Sequence, residues 1–247
     1  MRIPEIEIMD HGEEAEIYDQ LSKKFLYWIE DAFVESVLNM GVSSGRVLDV
    51  GTGPGLIPIK ISRSNESLEI IAADMSEPML EKARENMKSY GGARVNFIKA
   101  DAQELPFDNG YFDLVISHSL MHHLKEPVKF LDEIKRVAKK DGAILIRDIR
   151  RPPKILLNIW ASIFGKGYTP EMARIYKDSL QAAYRPKELV NLVNQSKLDD
   201  VTAKLYFLTH IGLERHSPRK ERNIIPLFEE APVPERVRMS YISKPSY

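Results

Sequence analysis

Apolar positions along the chain follow two rhythms. Between Glu14 and Met40 the residues Ile17, Leu21, Phe25, Trp28, Ile29, Phe33, Val37 and Leu38 recur at helical spacing, which predicts one or two amphipathic helices. From residue 45 the pattern changes to short apolar runs closed by glycine or polar residues: Val47–Val50, Glu69–Ala73, Val95–Lys99, Tyr111–Ser117 and Ile144–Arg147. Runs of that length predict buried strands, and intervening stretches such as Ser76–Lys88 read as helices. Strand–helix alternation of this kind predicts a doubly wound, mostly parallel α/β sheet with helices on both faces. Val201–Phe207 and His210–Arg215 add two more strands.

The first run leads into Asp49-Val50-Gly51-Thr52-Gly53-Pro54-Gly55. Glycine lacks a Cβ, so the backbone turns sharply and a ligand approaches closely. Doubly wound sheets hold nucleotide-type cofactors at such a strand-to-helix turn. Asp49 distinguishes between ligands. A dinucleotide brings a pyrophosphate here, which a neighbouring carboxylate repels, whereas a cationic centre is attracted. The dinucleotide fingerprint also needs a small residue where this chain has Leu56. A nicotinamide-dependent oxidoreductase is therefore the weaker alternative.

The succession of motifs resembles the class I methyltransferases that use S-adenosylmethionine. Motif I corresponds to Gly45–Gly55. The resemblance continues in order through Asp74-Met75-Ser76, Ala100-Asp101-Ala102-Gln103-Glu104-Leu105-Pro106-Phe107, the strand ending in Ser117, Met121-His122-His123-Leu124, and Glu133–Ala143. It implies a seven-stranded sheet whose last strand is antiparallel, a helical lid insertion, and S-adenosylmethionine as cofactor. By this resemblance Asp49, Gly51, Thr52 and Gly53 bind the cofactor, the two glycines bringing the main chain against its methionine moiety. Asp74 accepts from the ribose hydroxyls, or instead caps the next helix. Met75 lies on the adenine face, or is core. Asp101 and Ala102 read the adenine edge, and Ser117 and His118 approach the methionine end. Tyr18 belongs to the cofactor or acceptor site, or is a half-buried helix residue.

A sulfonium methyl is already activated, so a base is needed only if the acceptor must lose a proton. His118, His122 and His123 are the candidate catalytic groups, since histidine titrates near neutrality. One of the adjacent pair His122-His123 is expected to be structural. Adjacent side chains on a helix diverge by about 100°, which argues against a metal site, and activity without added divalent metal is expected. Arg147 and Asp148, ending the fifth strand, orient a polar acceptor or form an ion pair. Trp160, Phe164, Tyr168, Tyr176 and Tyr184 line an acceptor pocket, or form a satellite core or dimer contact. A non-catalytic S-adenosylmethionine-binding protein would carry the same cofactor motifs.

Composition narrows the partners. With 35 basic and 36 acidic residues and a net charge of −1, no global field drives association with nucleic acid or an anionic membrane. The absence of cysteine excludes disulfides, zinc–thiolate sites and thiol nucleophiles. With no apolar leader and no run of membrane-spanning length, a cytoplasmic enzyme acting on a small molecule is expected, with a homodimer as an option. The expected divisions are a helical segment over 1–44, a core over 45–215 with a lid at about 150–184, and a proline-containing extension over 216–247. Ile155–Phe164 is strongly apolar and closes at Gly165-Lys166-Gly167. Pro170–Ala183 and Pro186–Gln195 read as helices.

Overall fold

The computed structural model describes residues 2–4, 11–91 and 93–220; most of the C-terminal extension lies outside them. The chain enters through α1 (Gly12–Leu21), a π-helical turn (Ser22–Leu26) and α2 (Tyr27–Leu38). Then follow β1 (Gly45–Val50), α3 (Leu56–Ser64), β2 (Leu68–Asp74), α4 (Glu77–Tyr90), β3 (Val95–Lys99), β4 (Phe112–His118), α5 (Pro127–Val137) and β5 (Ala138–Ile149). The insertion holds α6 (Leu157–Phe164) and α7 (Pro170–Ala182); α8 (Pro186–Gln195), β6 (Thr202–Tyr206) and β7 (His210–Arg215) complete the fold.

The seven strands lie in the order β3-β2-β1-β4-β5-β7-β6. The first five are mutually parallel, and β7 runs antiparallel between β5 and β6. The expected sheet and its antiparallel last strand are both present. Alternation along the strands separates two cores. Val47, Leu114, Ile116 and Leu145 face a cluster closed by Phe33, Val34 and Val37 of α2 and Ile59 of α3. Leu48, Val115, Ile144 and Ile146 face the other side, against Phe130, Leu131 and Ile134 of α5 and Leu189 of α8.

Local chemistry starts the helices where the fold needs them. The Ser76 hydroxyl accepts from the Met79 N–H at 3.3 Å, and the Thr169 hydroxyl accepts from the Met172 N–H. Proline occupies the first helical position of α5, α7 and α8, where its missing N–H leaves no bond unmade.

Two elements depart from expectation. The N-terminal helix is interrupted by the π turn, which re-aims one face so that Tyr18, Ser22 and Glu30 all reach one cavity. Such turns recur at functional sites. Strand β5 begins at Ala138, six residues earlier than the apolar run. Its pairing with β4 shifts register between Phe112 and Leu114, and the Arg215 guanidinium donates to the Lys139 and Gly142 carbonyls. That tie comes from β7 and leaves no apolar signature in the run itself.

Candidate active site

The glycine turn after β1 is left-handed three times: Gly51, Gly53 and Gly55 have φ of 75°, 54° and 74°, a region side-chain-bearing residues seldom enter. The Gly51 and Thr52 amides donate to the Ala73 carbonyl at 2.8 and 3.0 Å. Asp74, at the end of β2, braces the arrangement. One carboxylate oxygen accepts from the Gly53 N–H at 2.8 Å and the other from the Ser76 N–H at 3.0 Å. The turns after β1 and β2 are thereby locked together, with Asp74 still facing the cavity.

That cavity, about 500 Å³, sits at the C-terminal ends of the strands, where open α/β sheets bind ligands. Among the described residues its wall carries Glu30, Asp49, Asp74 and Asp101 against one cation, Lys125, so its field favours a positive ligand. Asp49 is the most constrained of the four. It is 2% exposed and one oxygen has no hydrogen-bond partner. Burial lifts its carboxyl to about 7, the Thr52 hydroxyl opposes the shift, and the Asp74 charge adds to it. Burial likewise raises Glu30, offset by Lys60 at 3.0 Å. The Tyr18 hydroxyl is raised, chiefly by burial.

His118 closes β4 and faces the same cavity. Its ring lies 4.7 Å from Phe33 and 5.8 Å from His210, Nδ1 is 3.2 Å from the Ser119 hydroxyl, and Nε2 is buried without a partner. Burial holds its pKa well below the ordinary value, with His210, Arg147 and His122 adding. The ring is neutral at physiological pH and able to accept a proton or hydrogen bond. His123 also lines the cavity and is held low by burial and by His122.

A methyltransferase domain family model matches residues 42–197, more than half of the chain and all of the strands that build the cavity. The chain belongs to the class I S-adenosylmethionine-dependent methyltransferase family. Relatives include a demethylmenaquinone methyltransferase of Clavibacter sepedonicus, 34% identical over 57% of this chain and 56% of that protein. Another from Roseiflexus castenholzii is 26% identical over 70% and 77%. The chain spans about half the length of several such curated relatives. Among solved structures, a SAM-dependent methyltransferase from Aquifex aeolicus superimposes with TM-score 0.60 at 22% identity, covering 83% of this chain and 97% of that one. The plantazolicin methyltransferase BpumL in complex with SAH gives 0.69 at 13% identity, covering 85% and 92%. At these identities the structural likeness establishes the fold.

In this methyltransferase Tyr18, Asp49, Gly51, Thr52, Gly53, Asp74, Met75, Asp101, Ala102, His118 and His123 all line the one cavity. Ser117 does not: its hydroxyl donates to the Val50 carbonyl at 2.8 Å and stitches β4 to β1. His122 is 2% exposed and stands behind His123. Its Nδ1 lies 2.6 Å from one Asp148 oxygen and its backbone N–H donates to the other at 3.0 Å. The two histidine rings do not diverge as expected; they meet at 3.9 Å, because Met121–His123 is a short 3₁₀ turn with His122 pinned by Asp148. Nor do Arg147 and Asp148 pair with each other, since successive strand residues point to opposite faces. Arg147 is buried beneath the sheet, 3.9 Å from the Tyr206 ring and donating to the Ser36 hydroxyl.

The aromatic residues of the insertion also lie outside the cavity lining. Trp160 and Tyr176 join Ile149, Leu180 and Ala183 in a satellite core. Tyr168 packs edge-on against Phe25 at 4.8 Å, and Tyr184 lies beneath the Arg2 guanidinium at 4.3 Å. The cavity in turn holds residues the sequence reading passed over: Ser22, Glu30, Ser119 and Lys125. Glu30 left one trace, a carboxylate in line with the buried stripe Phe33, Val34 and Val37.

Proposed function

We propose that this methyltransferase moves the methyl group of S-adenosylmethionine to a carbon, oxygen or nitrogen nucleophile of a small, partly apolar acceptor. The observation that carries this reading is the carboxylate-lined, glycine-floored cavity, whose charge suits a sulfonium. Gly53 leaves open space where a side chain would stand, a Cβ there meeting only Tyr18 at 3.8 Å. Asp74 and Asp101 offer acceptors for ribose and adenine, and Met75, 44% exposed, offers an apolar face. The bound cofactor supplies an activated methyl group. Asp49 holds negative charge near the sulfonium, and the neutral His118 ring receives the acceptor's hydrogen bond. His122, backed by Asp148, fixes His123 beside it. Residues 45–215 then form the cofactor-binding core, 1–44 its flank and 150–184 the lid. Relatives named demethylmenaquinone methyltransferase and ubiquinone/menaquinone biosynthesis C-methyltransferase support a quinone-type acceptor methylated at carbon.

Labelled methyl transfer from S-adenosylmethionine, screened over quinols, phenols, amines and thiols, tests the reaction. Turnover is expected on a quinol or phenol and is expected to be unchanged by a divalent-metal chelator. Tight cofactor binding with no transfer to any acceptor would favour the non-catalytic reading. Replacing His118 by Phe should lower kcat/KM by roughly tenfold, the worth of one hydrogen bond, while cofactor affinity holds.

The raised Asp49 carboxyl gives a signed pH dependence. In the ligand-free chain it ionises freely when unfolded but resists when folded, so its contribution to stability falls as pH rises from about 4 towards 7. A cation favours the ionised form, so S-adenosylmethionine affinity should rise with pH across that window. Calorimetry at a series of pH values checks this, and Asp49→Asn should flatten the profile.

A further inference from the structure

Helix α6 and the 3₁₀ turn just before it (Lys154–Leu156) present an apolar ridge to solvent. Ile155, Ile159 and Ile163 recur every fourth residue and are 86%, 56% and 63% exposed. The helix is too short to span a bilayer: eight residues reach about 12 Å, and among the described residues no helix is long and apolar enough to cross a membrane. Its aromatic residues turn inward, Trp160 into the satellite core and Phe164 against Trp160 at 5.3 Å. The apolar residues that remain outside are aliphatic, beside exposed Asn158 and Ser162, without the Trp, Tyr and Arg anchors that dominate protein–protein contacts.

Along the chain the charge of this ridge is one-sided as far as Glu171, an exposed acid in the first turn of α7. Residues 149–170 contain no aspartate or glutamate, although the chain as a whole is balanced. Exposed Lys154 and Lys166 stand at the two ends of the ridge. Lys24 joins them by its position over the Phe25 ring, which touches Gly167 and Tyr168. Short apolar ridges rimmed by lysine seat in the headgroup region of anionic bilayers, where buried aliphatic area and charge attraction add.

We propose that α6 and the 3₁₀ turn before it dock this protein on an anionic lipid surface, with Ile155, Ile159 and Ile163 entering the headgroup boundary and Lys154 and Lys166 meeting lipid phosphates. The helix leads into the turn that touches the π segment, and Ser22 of that segment lines the cavity. Docking therefore holds one flank of the cavity close to the bilayer. The inference does not require methyl transfer.

The test is co-sedimentation of the full chain with vesicles of phosphatidylcholine alone, or with about a third phosphatidylglycerol. The chain should bind the anionic vesicles and release in high salt. Ile159→Asp with Ile163→Asp should weaken binding at least tenfold, and Lys154→Glu with Lys166→Glu several-fold. Thermal transition and S-adenosylmethionine affinity should stay unchanged in both, which separates lost docking from lost folding; Ile159→Ser with Ile163→Ser gives a milder second check. No binding by the unaltered chain, or binding that survives the isoleucine changes, would overturn the proposal. So would an absence of vesicle binding together with a dimer in sedimentation velocity that those changes dissociate.

Discussion

Asp74→Ala should weaken S-adenosylmethionine binding by about 1.5–3 kcal/mol, roughly 10- to 150-fold, as expected for loss of hydrogen bonds to a charged acceptor. The structure adds a second reason. The same carboxylate accepts from the Gly53 and Ser76 amides, so the variant also leaves two N–H groups unmatched and frees the glycine turn. Both effects act in one direction on affinity, and the second also lowers the thermal transition. Titration calorimetry with S-adenosylmethionine measures the first and scanning calorimetry the second. Unchanged affinity would take Asp74 out of the cofactor site.

Gly55→Val should destabilise the fold by about 2–5 kcal/mol and lower the melting temperature by on the order of 10 °C. Its φ of 74° is left-handed, and a Cβ there would stand 2.8 Å from the Ala83 Cβ and 3.0 Å from the Phe97 ring. Gly55 thus provides the close helix–sheet approach that dinucleotide-binding turns assign to a later small residue. Leu56 is free to be large for that reason, and it lines the cavity instead. Gly53→Val makes the contrast. It carries the backbone strain but no such collision, so stability falls less while the cofactor loses its space. Thermal scans and calorimetry on the two variants should give opposite rankings for stability and for affinity. Equal melting temperatures would undo the packing assignment.

What was legible from residues alone follows from short-range physics. The strand alternation, the glycine turn and the acids at strand ends each obey a local rule, and the topology gathers Asp49, Asp74 and Asp101 at one edge. The parts that stayed hidden depend on partners far along the chain. Asp148 pins His122 from 26 residues away, Arg147 finds Ser36 and Tyr206 on the opposite face, and Arg215 holds the early part of β5. The aromatic residues of the insertion share a composition with binding pockets, yet Trp160 and Tyr176 meet a satellite core instead. Composition does not tell those outcomes apart, because both are apolar surfaces seeking cover.

The placement of β7 between β5 and β6 bears on how the protein is made. A nascent chain that has emerged only as far as residue 200 has every parallel strand but no neighbour for the outer side of β5, whose residues Ile144–Ile149 pair with His210–Arg215. Until the last hairpin arrives, that side is an open template for strands of other molecules. Ribosomal pausing or truncation just ahead of His210 is therefore the point of greatest exposure to aggregation during synthesis.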